Sequence, residues 1–213
     1  MTGSGNLITE TFSYSDFTKI EAHNGFQLEL TKSSIFSVEI TADDNIQEHI
    51  EVKQSGETII IRLRGVLSLI SGQLKAKITM PELYYLDLSG GSRASITGFS
   101  SSHGFSAGLS GGSRVEGDMT AADADFDLSG GSQVVLTGSA DDLDVNGSGG
   151  SQLDLEAFSV NNADINLSGG SRATVSVDGT LDVNLSGGSK VIYTGEPTLG
   201  DIDLSGGSTI SKK

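Results

Sequence analysis

The sequence contains no cysteine and no tryptophan, only two prolines, and no run of 18 apolar residues. The lack of cysteine excludes disulfides, thiolate metal sites and thiol catalysis, although it does not identify a compartment. A membrane-spanning helix needs about 20 mainly apolar residues, and no signal peptide is visible at Met1. We therefore expect a soluble chain that inserts no segment into a membrane.

Positive charge is also scarce. The chain has 13 Lys and Arg against 28 Asp and Glu, a net charge of −15, and residues 81–213 carry −12 of it. A field of this sign repels phosphate backbones and anionic lipid heads. Nucleic acid and membrane surfaces are therefore excluded as expected partners, whereas cations and neutral molecules are not.

Glycine, by contrast, is abundant, with 29 residues. Many of them lie in the tetrapeptide Ser-Gly-Gly-Ser, which occurs seven times with 18 to 21 residues between successive starts. A period of this size is typical of solenoid proteins, and two adjacent glycines allow a tight corner. The seven copies, each expected to form a corner of one coil, occupy residues 89–92, 110–113, 129–132, 148–151, 168–171, 186–189 and 205–208.

Apolar and polar residues alternate before and after each tetrapeptide. A period of two is the pattern of a strand with one buried face. Three apolar columns should therefore face inward. Before the tetrapeptide they are Phe126, Val145, Ile165, Val183, Ile202 and Leu128, Gly147, Leu167, Leu185, Leu204; after it, the column is Ala94, Val115, Val134, Leu153, Ala173, Val191, Ile210.

The outward positions form three polar columns, which are the candidate binding residues. Stacked coils repeat one contact on every rung, and an extended polysaccharide or peptide could use that repetition. The columns are an aspartate ladder, Asp125, Asp144, Asp164, Asp182 and Asp201; a second polar ladder, Asp127, Asn146, Asn166, Asn184 and Asp203; and a basic and amide ladder, Arg93, Arg114, Gln133, Gln152, Arg172 and Lys190.

Strand, corner, strand and loop within about 19 residues match one coil of a parallel β-helix, and the crossover preference makes it right-handed. A propeller blade would need roughly 40 residues, and a meander of hairpins would not be expected to keep identical side chains in register. We predict an all-β, right-handed parallel β-helix, with about seven coils over residues 81–213 and a β-rich capping region over residues 1–80 continuous with the solenoid.

The N-terminal third lacks the tetrapeptide but is rich in alternating strands. A solenoid end exposes core and strand edges, so irregular terminal coils are expected to cover them. Residues 45–50, preceded by Asp43 or Asp44 as a cap, are the one helical candidate. The apolar segment 65–72 has two interpretations, a packed loop or a surface that contacts a partner.

An ordered set of motifs over nearly the whole chain resembles a known family. The motifs are GSGN at 3–6, the strand pair FTKI at 17–20 and LEL at 28–30, ADDN at 42–45, ITMPEL at 78–83 and the LSGGS rungs. Together they resemble the auto-transporter adhesin head domain, also called the GIN domain.

The resemblance implies an exported bacterial protein of the cell envelope, periplasm or outer surface, with a right-handed β-helical fold and an adhesive role. It brings no catalytic residues. The chain shows neither a lipobox cysteine nor an autotransporter barrel, so its anchoring is not predicted. Gly147 departs from the leucine of other rungs and is expected to leave a thin spot in the core.

The aspartate ladder is the sharpest chemical oddity. Neighbouring carboxylates about 4.8 Å apart repel by roughly 1 kcal/mol in water. Basic side chains of a facing strand, splayed rotamers, proton uptake or a divalent cation would each relieve this repulsion. The simplest interpretation is a solvated face, so we predict no cofactor, with a divalent cation as the alternative; the calcium motif of toxin repeats is absent.

We predict a non-enzymatic binding module for carbohydrate or protein at the cell surface or envelope. No enzyme is predicted, because the aspartates form repeating columns and His23, His49 and His103 are isolated in the sequence. One alternative is a structural or assembly protein of the envelope, a homo-oligomer whose C-terminal coil stacks on another subunit. A second is a polysaccharide-cleaving β-helix enzyme that uses paired carboxylates.

Overall fold

Two long sheets account for most of the structure, a computed structural model that describes residues 1–65 and 71–213. The protein is all-β, with 62% strand and 2% helix. The apolar segment predicted at 65–72 falls mostly outside the described residues, so neither of its two interpretations is tested.

Seven strands and one short helix come from the N-terminal third of the described chain. They are β1 (Leu7–Phe12), β2 (Lys19–Ala22), β3 (Gln27–Lys32), β4 (Ser37–Asp43), α1 (Asp44–Gln47), β5 (Ile50–Ser55), β6 (Thr58–Leu63) and β7 (Leu74–Met80).

Seven pairs of strands follow, one pair around each tetrapeptide. They are β8 (Tyr85–Leu88), β9 (Arg93–Ser100), β10 (Phe105–Leu109), β11 (Arg114–Thr120), β12 (Asp123–Leu128), β13 (Gln133–Ser139), β14 (Asp142–Gly147), β15 (Gln152–Val160), β16 (Asn162–Leu167), β17 (Arg172–Val177), β18 (Thr180–Leu185), β19 (Lys190–Thr194), β20 (Thr198–Leu204) and β21 (Thr209–Lys212).

Each tetrapeptide carries the chain from one sheet to the other. Sheet I has ten strands in the order β20-β18-β16-β14-β12-β10-β8-β2-β6-β5, and sheet II has eleven in the order β1-β4-β7-β3-β9-β11-β13-β15-β17-β19-β21. From β8 onward all neighbouring strands pair in parallel. The predicted β-helix of about seven coils is therefore confirmed.

The corners satisfy their own polar groups. Both glycines of every tetrapeptide have positive φ, 62–65° for the first and 75–80° for the second, a region that residues with a Cβ reach only at a cost. The last serine of each copy donates its hydroxyl hydrogen to the carbonyl of the first, at 2.6–2.9 Å. In six of the copies this last serine is buried, so the solenoid contains an internal serine ladder.

The apolar columns form one core between the sheets, as their alternation predicts. Their members are buried, apart from the partly buried Ile202 and Ile210 and from Leu204, which is 44% exposed on β20. The predicted thin spot at Gly147 is wrong. A Cβ built on Gly147 would lie 2.5 Å from Cδ2 of Leu167, because that leucine on the next rung already fills the space.

The N-terminal strands extend and cover the solenoid. Strand β2 lies between β6 and β8, and β3 lies between β7 and β9, so two further parallel rungs precede the repeats. Strands β1, β4 and β5 pair antiparallel outside them. Both sheets run through the predicted boundary at 80/81, which falls between β7 and β8.

A helix is present where one was predicted, as α1, with Asp43 at its N-cap position. It ends at Gln47, however, and Ile50 of the predicted segment 45–50 begins β5. The side chain of Asp43 makes no capping hydrogen bond. Its buried carboxylate instead accepts hydrogen bonds from the backbone N–H groups of Gly5 and Gln73, at 2.7 and 2.9 Å. Asp43 thus ties the start of the chain to the segment that leads into β7.

Candidate binding surface

Both polar ladders that precede the corners lie on the outer face of sheet I. We call the outward side of its strands β10, β12, β14, β16, β18 and β20 the acidic face. The strand pairings place Asp125, Asp144, Asp164 and Asp182 directly beside one another on four successive rungs. The second ladder is in register over all five of its rungs: Asp127, Asn146, Asn166, Asn184 and Asp203.

The fifth aspartate does not continue the first ladder. The pairing of β18 with β20 shifts by one residue between Leu181 and Val183, so Asp201 sits at a bulge. Its backbone N–H donates to Oδ1 of Asp182 at 2.6 Å. The extra residue is Gly200, on which a Cβ would lie 2.1 Å from that same oxygen. The bulge thus ends the ladder and hydrogen-bonds its last carboxylate.

A further polar column lies on the same face, two residues before the aspartate ladder. Asp123, Asp142 and Asn162 are partners on three successive rungs. The three polar columns predicted from the sequence do not include these residues, although the same period-two pattern reaches them when each strand is continued two residues toward its start.

Two shallow grooves run across the rungs of the acidic face. The larger has a volume of about 740 Å³ and extends from Gly104 and Ser106 through the aspartates to Asp182. The second, of about 460 Å³, lies along the second ladder, from Asp127 through the asparagines to the first serines of the corners. Both grooves are lined mainly by groups that repeat from rung to rung.

Asparagine amides hydrogen-bond several of the aspartates. The Nδ2 atoms of Asn146 and Asn166 donate to Asp144 and Asp164 on their own strands, at 3.1 and 3.0 Å. Asn162 donates across the rungs to Asp142 at 2.8 Å. The face therefore presents carboxylate–amide pairs, each with free acceptor positions and amide hydrogens that a ligand can use.

Within the described residues, the ion pairs of lysine and arginine side chains all go to glutamates and leave these aspartates without a cation. Burial, then the charges of Asp127 and Asp144, raise the pKa of the Asp125 carboxyl. Burial, Asp164 and Asp127 raise the pKa of Asp144 against the opposing hydrogen bond from Asn146. Crowding on this face thus favours proton uptake, one of the predicted forms of relief.

The basic and amide ladder lies on the opposite side of the molecule. Arg93, Arg114, Gln133, Gln152, Arg172 and Lys190 are in register along the outer face of sheet II. Relief of the aspartates by basic groups of a facing strand, one of the predicted options, is therefore wrong, because the core separates the two faces. On its own face, Arg114 bonds Gln133 and pairs with Glu116 at 2.9 Å.

No three carboxylate, imidazole or thiolate groups converge on a common metal position in the part of the chain that the structure describes. A divalent cation on the aspartate ladder thus remains a prediction. The histidines contact unrelated groups: His23 bonds Ser89 at 2.6 Å, and His103 bonds Tyr84 at 3.2 Å. The described residues also include no helix with the length and hydropathy to cross a membrane.

Solved structures share this fold at low identity. A structure from Bacteroides fragilis, described as a putative adhesin, is 21% identical, with a TM-score of 0.89 and full coverage of both chains. A putative adhesin from Parabacteroides merdae is 16% identical, with a TM-score of 0.81, and covers 100% of this chain and 98% of its own. A structure from Parabacteroides distasonis, described as a putative lipid binding protein, is 19% identical, with a TM-score of 0.75, and covers 100% and 99%.

No curated protein matches the chain. At these identities the solved structures show a shared fold. The family that the repeats resemble is matched by the sequence itself. The match to that family extends over residues 16–197, which include all but the last of the tetrapeptide corners. The chain belongs to the family described as putative auto-transporter adhesin, head GIN domain.

Proposed function

We propose that this domain is a non-enzymatic binding module of the bacterial cell envelope or surface, and that it holds an extended, uncharged glycan along the acidic face. The observation that carries this proposal is the pair of grooves, about 740 and 460 Å³, lined by in-register carboxylates and amides. A ligand with a repeating structure can make the same contact on each rung.

The chemistry of the face suits sugar hydroxyls. A carboxylate offers about four acceptor positions, and an amide offers two donors and an acceptor. Each carboxylate–amide pair, such as Asp164 with Asn166, can therefore accept from one hydroxyl and donate to the next. Hydrogen bonds to a charged acceptor are about twice as strong as neutral ones.

Charge selects among glycans. The aspartates of the acidic face have no cationic partner among the described lysines and arginines, and the whole chain carries −15. Uronate and sulfated polymers would meet like charge, which costs several kcal/mol when charges are juxtaposed. Neutral hexose and N-acetylhexosamine chains escape this penalty.

A glycan array tests the proposal. The wild-type domain should bind neutral β-linked oligosaccharides such as cellohexaose and hexa-N-acetylchitohexaose, and should not bind oligogalacturonate. The same array with calcium and with a chelator tests the cation alternative, which requires binding to depend on the metal. A domain that binds no neutral oligosaccharide, or that releases shorter products from one, contradicts the proposal.

A further inference from the structure

One rung of the acidic face lacks the long polar side chains of the rungs after it. The outward residues of β10 are Ser106 and Gly108. Gly104, just before the strand, occupies the position that Asp123 has on the next rung. None of these residues projects farther than a serine hydroxyl. The backbone of β10 therefore forms the floor of a notch across the face, which we call the β10 notch.

Larger side chains stand on both sides of the β10 notch. On one side Ser106 pairs with Tyr85 of β8, and on the other it pairs with Asp125 of β12. Gly108 lies between Asp87 and Asp127, but the Asp87 carboxylate reaches over it, 3.0 Å from the position of a Cβ on Gly108. The notch is therefore open over Gly104 and Ser106, which line the groove. Ser106 thus has an aromatic side chain on one side and a carboxylate on the other, and it lines the end of the 740 Å³ groove next to Tyr85.

The width of the β10 notch fits one flat ring. Strands β8 and β12 are two strand spacings apart, or about 9.6 Å. A ring in van der Waals contact with Tyr85 at about 3.7 Å leaves about 6 Å to the backbone of β12. That distance accommodates a hydroxyl group and a hydrogen bond of about 2.7 Å to a carboxylate.

Tyr85 is held at the edge of the notch. Its hydroxyl donates to Oδ2 of Asp87 at 3.4 Å, and a Cβ built on Gly108 would lie 3.8 Å from the same hydroxyl. A side chain on Gly108 would also lie 3.0 Å from the Asp87 carboxylate. Burial, then Asp87 and Glu21, raise the pKa of Tyr85, so its phenol stays neutral and keeps its donor hydrogen.

A pair of rings also lies beside the same rung. His103, the residue before Gly104, packs against Tyr84 with the rings tilted by 43° and their centroids 4.9 Å apart, and the Tyr84 hydroxyl and the histidine Nδ1 are 3.2 Å apart. Aromatic rings present an apolar face and a polar tip. They lie at this end of the groove, whereas the groove lining beyond Ser106 contains no aromatic residue.

We propose that the β10 notch is the anchor subsite of the glycan groove, where one hexose ring packs its apolar C–H face against Tyr85 and donates a hydroxyl hydrogen to Asp125. This inference rests on the proposed function. The anchored ring fixes which rung each following sugar meets, and therefore the register of the chain along the aspartate ladder.

Two substitutions test the subsite by different means. Tyr85→Ala removes the aromatic wall, and Ser106→Gln fills the notch while leaving the wall in place. Isothermal titration calorimetry with hexa-N-acetylchitohexaose and cellohexaose should show that each variant binds at least tenfold more weakly than the wild type. Tyr85→Phe keeps the ring and should stay within threefold of the wild type.

Ser95→Gln is the matched control, because Ser95 is a half-buried strand residue on the opposite outer face, in β9. It should leave the affinity within twofold of wild type. Urea midpoints identify any variant that fails to fold. If Tyr85→Ala fails to fold, the affinity of Ser106→Gln alone tests the anchor subsite. Wild-type affinity that neither substitution changes overturns the anchor subsite but leaves the proposed function intact. A wild type that binds no hexasaccharide overturns both.

Discussion

At the scale of single residues, the two glycines of each tetrapeptide are required for different reasons. A Cβ on the first glycine of the fourth copy, Gly149, would lie 3.0 Å from the backbone nitrogen of Gly130 on the preceding rung. A Cβ on the second, Gly150, would have no atom within 4 Å. Both have positive φ, but only the first also has to allow the close approach of another backbone.

Alanine at these two positions should therefore have unequal effects. Gly150→Ala carries the cost of the left-handed conformation, about 1 kcal/mol. Gly149→Ala adds a contact with a backbone atom that cannot move aside, and should lower the free energy of unfolding by about 2–3 kcal/mol. Urea denaturation of the two variants measures the difference, and an equal or reversed order would contradict the stacked-glycine explanation.

The two serines of a tetrapeptide also differ. Ser151 is buried and donates to the carbonyl of Ser148 at 2.6 Å, whereas Ser148 is only half-buried. Ser151→Ala should lower the free energy of unfolding by about 1–2 kcal/mol, because a buried hydrogen bond is lost. Ser148→Ala, its control, should change it by less than about 0.5 kcal/mol. Equal unfolding midpoints in urea would show that the internal serine ladder adds no stability.

At the scale of strands, the repeated aspartates of the acidic face repel one another. Four aspartates lie beside one another on successive rungs of sheet I, and for two of them burial and neighbouring carboxylates raise the pKa above 3.8. A raised folded-state pKa means that the native state binds protons more readily than the unfolded chain. These carboxylates therefore weaken the fold at neutral pH.

The sign of the pH dependence follows from this linkage. Lowering the pH from 7 toward 5 should raise the melting temperature, because the native state takes up protons at Asp125 and Asp144 before the unfolded chain does. Asp44 and Glu51, whose pKa values hydrogen bonds lower, act in the opposite direction, at more acidic pH. The double variant Asp125→Asn/Asp144→Asn should be more stable than the wild type at pH 7. Its melting temperature should increase much less than that of the wild type between pH 7 and pH 5, which calorimetric melts at both pH values would measure. A wild type that loses stability between pH 7 and pH 5 would contradict this assignment.

The strands and corner of each coil could be predicted because the same pattern repeats on every rung. Features that occur on one rung alone could not be predicted in this way. Alternation placed Phe126 inside and Asp125 outside because one rule held on every rung. It did not reveal the bulge at Asp201, which depends on one extra residue in a turn of variable length. Nor did it show that Leu167 fills the space beside Gly147, because that packing depends on the rotamer of the next rung.

The order of the strands within the two sheets could not be predicted from local sequence patterns, for a similar reason. Strand β3 pairs with both β7 and β9, which follow it by dozens of residues, so no periodicity marks the contact. The repeats also could not show that the aspartate and basic ladders lie on different sheets, because each ladder was identified only by its distance from the corner.

At the scale of the whole molecule, charge is distributed unequally between two outer faces. The aspartate ladders lie on sheet I, and the basic and amide ladder lies on sheet II. With a net charge of −15, self-repulsion disfavours the compact state. The proposed selection of uncharged ligands and the stability of the fold thus depend on the same electrostatic field.

Salt should therefore stabilise the protein. The Debye length is about 30 Å at 0.01 M and about 8 Å at 0.15 M, so raising NaCl between these values screens repulsion across several rungs. The melting temperature should rise by a few degrees, and by less in Asp125→Asn/Asp144→Asn. A melting temperature that falls with salt would show that attractive ion pairs outweigh the repulsion.

The most direct test of the binding face compares two double variants on the same coils. Asp144→Ala/Asp164→Ala truncates exposed residues of sheet I, and Gln152→Ala/Arg172→Ala truncates exposed residues of sheet II. In titration calorimetry with the hexasaccharide that the wild type binds best, the first should lose at least tenfold in affinity and the second less than twofold. Loss only in the sheet II variant, or equal affinity in both variants and the wild type, would contradict a glycan site on the acidic face.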